Sequence, residues 1–144
     1  MNQSLEILRS QLGSELSKTP SPLMRWLNPT LLSAEAGQLK LRFLIRNEMT
    51  NPLGNIHGGI SAAIIDDAIG TAVFSLGESH FYASINNVID YFSAAKEGEY
   101  VIAVTSILKN GKQLVNAQCE IWNDDQSRMI AKGVSNLIKT NFAH

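Results

Sequence analysis

The sequence feature that most constrains the fold is an almost wholly apolar stretch after a His-Gly-Gly step. Residues 60–76 leave almost no polar face at helical spacing, and a helix that is apolar all round must be buried by the rest of the chain. Two adjacent aspartates, Asp66 and Asp67, interrupt it at its middle. Aspartate is a poor interior helix former and is rarely buried without partners. We therefore take this helix, with the polar loop from Asn51 that precedes it, as the functional centre.

The two aspartates are not equivalent. At about 100° per residue, their side chains point to different sides of the helix. The side of Asp66 carries small residues, which would let another molecule approach its carboxylate: Gly59, Ala62 and Gly70. Asp67 has bulkier neighbours and the hydroxyl of Thr71 one turn later. We favour Asp66 as the chemical group and Asp67 as the structural one, with an ordinary helix–helix or subunit contact as the alternative for Asp66.

Composition excludes several classes of protein. The chain has 144 residues, enough for one domain with its own core, and we treat 1–144 as a single domain. A formal net charge of −1 predicts no nucleic-acid partner. The single cysteine, Cys119, excludes an internal disulfide, and no His, Cys or Asp cluster has metal spacing, so we predict no metal. We see no secretory signal and no run that spans a membrane, which predicts a cytoplasmic protein.

The periodicities along the chain predict an α+β fold. An amphipathic helix is expected over about 2–17 as an appendage, and a short helix or turn over 22–29. Strand patterning covers 31–36, 39–45, 80–94, 100–108, 114–123 and 128–140. Turn signals between the last four strands predict an antiparallel meander. One long helix cannot cover both faces of six strands, so we expect a curved sheet wrapped around it and pairing with a second copy.

The loop and helix resemble those of one family. Asn51, His57-Gly58-Gly59 and Asp66, nine residues after the histidine, resemble the hotdog-fold acyl-CoA thioesterases of the phenylacetate-degradation and thioesterase superfamily member 2 type. The patterns at 109–112 and 131–133 are similar to that group as well. The resemblance covers roughly residues 30–140. It implies a hotdog fold and an enzyme that hydrolyses an acyl-CoA thioester to a free acid and CoA, without a cofactor.

The resemblance also implies roles for individual residues. Asp66 is the expected general base or nucleophile, and the N–H of Gly58 the expected donor to the thioester oxygen. Asn51 is expected to help hold the carbonyl or the water, and Ser84 to orient the water. Family sites form between subunits, so we expect a dimer or tetramer in which Asp66 faces the partner.

Elementary chemistry agrees with this assignment. Thioester hydrolysis builds negative charge on the carbonyl oxygen, and the free N–H groups of a helix N-terminus stabilise such charge. Gly58 and Gly59 begin the helix without side chains, so a ligand can reach the backbone. A nearby carboxylate such as Asp66 can deprotonate water or attack directly.

Several of these residues also have a purely structural interpretation. His57 is either a catalytic residue or the N-terminal residue of the helix, and Asn51 before a proline is also a turn former. The Ser84 hydroxyl is either part of the site or bonded within its strand. Lys109 and Lys112 flank a predicted hairpin, where they either bind the phosphates of CoA or are solvated turn charges.

Two other functions compete with hydrolysis. The first is a hotdog enoyl-CoA hydratase or dehydratase, which uses a different His and acid arrangement on the β-carbon. The second is a non-catalytic module that binds acyl-CoA.

Overall fold

A computed structural model gives the structure of residues 1–16 and 18–143. Three α-helices lie at α1 (Gln3–Arg9), α2 (Pro22–Leu27) and α3 (Gly58–Phe74), with a 3-10 turn at Asn47–Met49 before α3. Six strands are formed: β1 (Thr30–Glu35), β2 (Gln38–Leu44), β3 (His80–Tyr91), β4 (Tyr100–Asn110), β5 (Leu114–Asn123) and β6 (Met129–Ala143). The predicted α+β class with one long helix and six strands is confirmed.

Helix α3 forms where the apolar stretch predicts it. His57 caps its N-terminus with an extended backbone, φ −67° and ψ 137°, and Ser75 ends it. Its buried side packs across the sheet through Ile64, Ile65, Ala68, Ile69 and Ala72, each at most 1% exposed. Alternate residues of β2 and β5 face it, because successive side chains of a strand point to opposite faces. The helix therefore lies against one face of the sheet, with Gly59 exposed at its N-terminal end and Ser75 buried at its C-terminal end.

The predicted meander of the last four strands is wrong for β3. The sheet is antiparallel with the order β1-β2-β4-β5-β6-β3, so of the last four strands only β4, β5 and β6 are consecutive neighbours. Strand β3 pairs with β6 and forms an edge of the sheet. The segment 92–99 does not make a tight turn to β4. It pairs with the loop before α3, where the Ile56 N–H donates to the Ala95 carbonyl and the Glu97 N–H to the Gly54 carbonyl.

The N-terminal helix is shorter than predicted. α1 ends at Arg9, and residues 11–16 turn back to form isolated bridges with β1 at Leu31 and Thr30. Gly13, with φ +77°, marks the reversal after which helical periodicity no longer applies. The last predicted position of this helix, Ser17, lies outside the described residues. Leu5 and Leu8 of α1 are buried and pack with the main hydrophobic core.

A bulge in β3 changes which of its residues face α3. The pairing with β6 runs from Ser84↔Leu137 directly to Asn86↔Asn136, so Ile85 is an extra residue. With strict alternation, the odd-numbered residues from Phe81 to Tyr91 would share one side of the strand. The bulge puts Ser84 and Asn87 on the same side instead. This change in phase positions the site described next.

Among the described residues, no helix is long and apolar enough to cross a bilayer.

Candidate active site

Asp66 lies on the side of α3 that faces β3. Its Oδ1 accepts two hydrogen bonds, one from the Ser84 hydroxyl at 3.2 Å and one from Asn87 Nδ2 at 2.9 Å. Within residues 1–16 and 18–143, no hydrogen bond to Oδ2 is found. One carboxylate oxygen is thus anchored, while the other is available to a water molecule or a substrate carbon.

Asn87 is a site residue that the sequence interpretation missed. The Ser135 hydroxyl, on β6, donates to Asn87 Oδ1, which orients the amide so that its Nδ2 points to Asp66. Ser135 is fully buried and pairs with Asn87 across the two strands. The sequence pattern did not group Asn87 with Ser84, because the two residues are three positions apart. Alternation puts such residues on opposite faces of a strand unless a bulge intervenes.

Asp67 points in another direction, as its position on the helix predicted. Its Oδ2 accepts a hydrogen bond of 3.0 Å from the hydroxyl of Ser21, which also caps α2 by accepting from the Met24 N–H. The predicted neighbour Thr71 bonds to the main-chain carbonyl of Asp67 and not to its carboxylate. Burial raises the pKa of the Asp67 carboxyl, and the negative charge of Asp66 raises it further.

The His-Gly-Gly step forms a chain of hydrogen bonds at the start of α3. The Tyr91 hydroxyl donates to the Gly58 carbonyl at 3.0 Å, and the Gly59 N–H donates to His57 Nδ1 at 2.9 Å. Both bonds hold the peptide group between the two glycines. In the described part of the chain the Gly58 N–H has no partner, so it is free to donate to a ligand. His57 therefore acts as the helix cap. The Gly59 N–H donates to His57 Nδ1, so it is not available to a ligand.

Asn51 shapes the loop before the helix. Its Oδ1 accepts from the N–H groups of Leu53 and Asn55, and the Asn51 N–H donates to the Asn55 carbonyl, which closes a tight loop. Asn51 also lines a cavity of about 250 Å³ together with Gly58, Ser61 and Tyr91. The turn-forming role is therefore observed, and the side chain also lies in the same cavity as Gly58.

The structure does not bring Lys109 and Lys112 to these residues. Lys109 lies near the end of β4 and Lys112 in the turn to β5, both exposed. Neither lines the cavity next to Gly58 or the larger cavity next to Asp67. Their predicted contact with CoA phosphates stays a prediction.

The described residues contain no group of three or more His, Cys, Asp or Glu side chains that could hold a metal ion.

Comparison with known proteins places the chain in a family. The sequence profile of the Thioesterase superfamily matches residues 53–130, which include the loop, α3, β3, β4 and β5. The chain belongs to this superfamily. The predicted enzyme class, a thioester hydrolase, is confirmed at the level of this family.

Individual relatives agree. The chain is similar to acyl-coenzyme A thioesterase 13 of Mus musculus, with 33% identity over 104 residues that cover 72% of this chain and 74% of the relative. The crystal structure of mouse thioesterase superfamily member 2 superposes with a TM-score of 0.75 at 28% identity, covering 94% of each chain. The E. coli PaaI protein of the phenylacetic acid degradation operon superposes with a TM-score of 0.83 at 17% identity, covering 99% of this chain and 97% of that one. The expected hotdog fold and the resemblance to this group are confirmed.

Proposed function

We propose that the protein hydrolyses acyl-CoA thioesters, with Asp66 as general base or nucleophile and the Gly58 N–H as oxyanion donor. The observation that carries this is the asymmetric anchoring of Asp66, in which Ser84 and Asn87 hold Oδ1 and leave Oδ2 free. Such a carboxylate either takes a proton from the attacking water or attacks the thioester carbon itself, and in both routes the C–S bond breaks and the thiol leaves with a proton. In the second route water then hydrolyses the anhydride formed on Asp66, which releases the acid and restores the carboxylate. The acyl-CoA substrate follows from the name of the mouse relative.

The two reactive groups of one chain do not serve the same thioester. Asp66 follows Gly58 by eight residues, which is about 12 Å along a helix axis. A base and an oxyanion donor must each lie about 3 Å from the atoms they act on. We therefore assign Asp66 of one subunit and Gly58 of its partner to each site, so that the enzyme works as a dimer or a larger assembly of dimers.

The edge strand β3 supports such an assembly. It is twelve residues long and mostly exposed, with Ile85 55% and Val88 60% exposed. A long edge strand with exposed apolar side chains is a template for pairing with another copy. Pairing through β3 would bring the partner's α3 next to β3, whose Ser84 and Asn87 bind the Asp66 carboxylate.

Asp66→Asn tests the role of the carboxylate. We expect the variant to lose about 10²- to 10⁴-fold in kcat, because an amide neither accepts a proton from water nor attacks a carbonyl. Hydrolysis of a panel of acyl-CoA thioesters is followed by release of the CoA thiol. Asp125→Asn, a substitution in the β5–β6 turn, is the matched control and keeps the wild-type rate. A wild type that is inactive on every thioester, or an Asp66→Asn variant at full rate, contradicts the proposal.

Gly58 permits a test that removes one N–H group and little else. Gly58 is the first residue of α3, where proline is tolerated, and His57 before it already has the extended backbone that a following proline requires. Gly58→Pro should lower kcat about 10²- to 10³-fold, as loss of an oxyanion donor does. Gly58→Ala keeps the N–H, and its Cβ would make an ordinary contact of 3.5 Å with the Tyr91 ring, so it should stay active. Equal rates for the two variants would exclude the donor role.

The same panel addresses the two competing functions. A crotonyl-type thioester that is hydrated without thiol release would indicate a hydratase. Binding of acyl-CoA without any turnover would indicate a binding module.

A further inference from the structure

A cavity of about 360 Å³ lies between α3, the start of β3 and the N-terminal segment, and its wall includes Asp67, the neighbour of Asp66 in the chain. Its wall includes Gly70, one helical turn after Asp66, and Tyr82, which precedes Ser84 by two residues and so faces the same side of β3. Gly70 leaves the space beside the helix open, because a Cβ added there would have no neighbour within 4 Å. Asp66 itself does not line the cavity, which extends from Asp67 towards the C-terminal end of α3.

Most of the cavity wall is apolar, but Asp67 and Ser21 lie on it. Asp67 is half-buried, and within residues 1–16 and 18–143 its carboxylate accepts one hydrogen bond, from Ser21. No cation lies within 4 Å of it among the described residues. An ionised carboxylate has about four acceptor positions, so one hydrogen bond leaves most of those of Asp67 open to a ligand. Asp67 thus has acceptor capacity in the cavity that the rest of the chain does not satisfy.

We propose that this cavity holds the acyl group of the thioester and that Asp67 selects acyl groups that carry a hydroxyl or another hydrogen-bond donor away from the thioester carbon. This inference rests on the proposed function, since it needs a thioester at Asp66. A donor on the acyl group would satisfy the free acceptor positions of Asp67. An unsubstituted chain would leave them without a partner, and an acyl group that ends in a carboxylate would meet repulsion.

The other charged or titratable side chains on the cavity wall are Lys18, His80 and Tyr82. Lys18 is exposed, and His80 Nδ1 shares a hydrogen bond with the hydroxyl of Ser79. If Lys18 dominated recognition, the cavity would prefer an acyl group with a terminal carboxylate. That preference is the opposite of the one expected from Asp67, so substrates of equal length separate the two.

The test compares kcat/KM for hexanoyl-CoA, 6-hydroxyhexanoyl-CoA and adipoyl-CoA, with 3- and 5-hydroxyhexanoyl-CoA to find the preferred donor position. For the wild type we expect at least one hydroxylated substrate to exceed hexanoyl-CoA by about tenfold, the effect of one hydrogen bond to a charged group. Adipoyl-CoA should be the poorest. Asp67→Leu should abolish the preference for the hydroxyl, so that the hydroxylated substrates and hexanoyl-CoA give similar kcat/KM values. Asp67→Asn, which retains an acceptor, should keep part of the preference.

The outcomes distinguish this inference from the proposed function. If the wild type hydrolyses none of the hydroxylated substrates faster than hexanoyl-CoA, prefers adipoyl-CoA, or keeps the hydroxyl preference after Asp67→Leu, the selection by Asp67 is wrong while hydrolysis stands. If it hydrolyses none of the wider panel, the proposed function fails first. Should Asp67→Leu not fold, Asp67→Ala provides the same comparison, because its methyl group removes the carboxylate and offers no hydrogen-bond acceptor.

Discussion

At the scale of single residues, Tyr91 has a function that its type does not suggest. Its hydroxyl and the His57 ring hold the two ends of one peptide group, the carbonyl of Gly58 and the N–H of Gly59. Hydrogen bonds in such a chain strengthen one another. The fixed peptide keeps the preceding Gly58 N–H in place, so we regard Tyr91 as a positioning residue for the oxyanion donor.

Tyr91→Phe should therefore reduce kcat and leave KM nearly unchanged. The ring that packs against Gly58 remains, and only the hydrogen bond is lost, which at about 1 kcal/mol corresponds to roughly a fivefold decrease. Steady-state kinetics on the best substrate of the panel measures both parameters. Tyr100→Phe, under the guanidinium of Arg42, is the matched control. An equal kcat for Tyr91→Phe and wild type would show that the hydroxyl does not position the donor.

Asp67 should make the fold less stable as its carboxylate ionises. Its pKa is raised in the folded protein by burial, so between the ordinary aspartate range and that raised value the folded state binds more protons than the unfolded state. Stability falls with rising pH across this window and stays lowered above it. Asp67→Asn, which cannot ionise, should therefore have a higher Tm than the wild type at pH 7 and no such advantage at pH 3.

Asp124→Asn is the control for this experiment, and the change in Tm expected for it at pH 7 has the opposite sign. Arg42 lowers the pKa of Asp124 through paired hydrogen bonds of 2.8 and 2.7 Å. The stabilisation by Asp124 is present above the ordinary aspartate pKa and is lost as the pH falls through the lowered value. Asp124→Asn should therefore lower Tm slightly at pH 7. Thermal unfolding at both pH values measures the two variants, and an Asp67→Asn advantage that grows on acidification would contradict the assignment.

At the scale of secondary-structure elements, Gly133 decides how closely α3 approaches the sheet. It lies in β6 opposite Ile89 and Cys119, and a Cβ there would lie 2.6 Å from Cγ2 and 3.2 Å from Cδ1 of Ile65. The Cγ2 atom of a β-branched side chain cannot move without rotating the whole side chain. The helix therefore contacts the strand directly because residue 133 has no side chain.

Gly133→Ala should destabilise the protein by about 1–3 kcal/mol through overpacking, or about 2–4 °C in Tm for each kcal/mol. Gly70→Ala is the matched control, since its Cβ meets nothing within 4 Å and alanine is the better helix former by up to about 1 kcal/mol. It should hold or raise Tm. Adding Ile65→Ala to Gly133→Ala should cost less than the sum of the two single changes. A Gly133→Ala protein as stable as wild type would mean that α3 shifts freely on the sheet.

At the scale of the whole molecule, a shared site predicts complementation between two inactive variants. In a mixed dimer of Asp66→Asn and Gly58→Pro chains, one site combines an intact Asp66 with an intact Gly58 and the other has neither. After co-refolding at equal amounts, half of the dimers are mixed and about a quarter of the wild-type activity should return. Each variant refolded alone is the control. No recovery, together with the solution mass of a single chain, would contradict an active site between subunits.

Part of the fold was predictable because it depends on local periodicity. The apolar run around Asp66 predicted α3, alternation predicted the six strands, and rotation per residue separated Asp66 from Asp67. The His-Gly-Gly step predicted where the helix starts, and it is part of the resemblance of this chain to the thioesterases. These features depend on residues close together in the chain, which is why the amino-acid sequence by itself determined them.

The tertiary structure alone decided which distant residues meet. It placed β3 beside β6 instead of β4, and its bulge at Ile85 brought Asn87 to Asp66. It turned residues 11–16 back onto β1, so that Ser21 reaches Asp67 and encloses a cavity. The pairing of strands and the position of a bulge depend on packing between segments far apart in sequence. No local pattern specifies them.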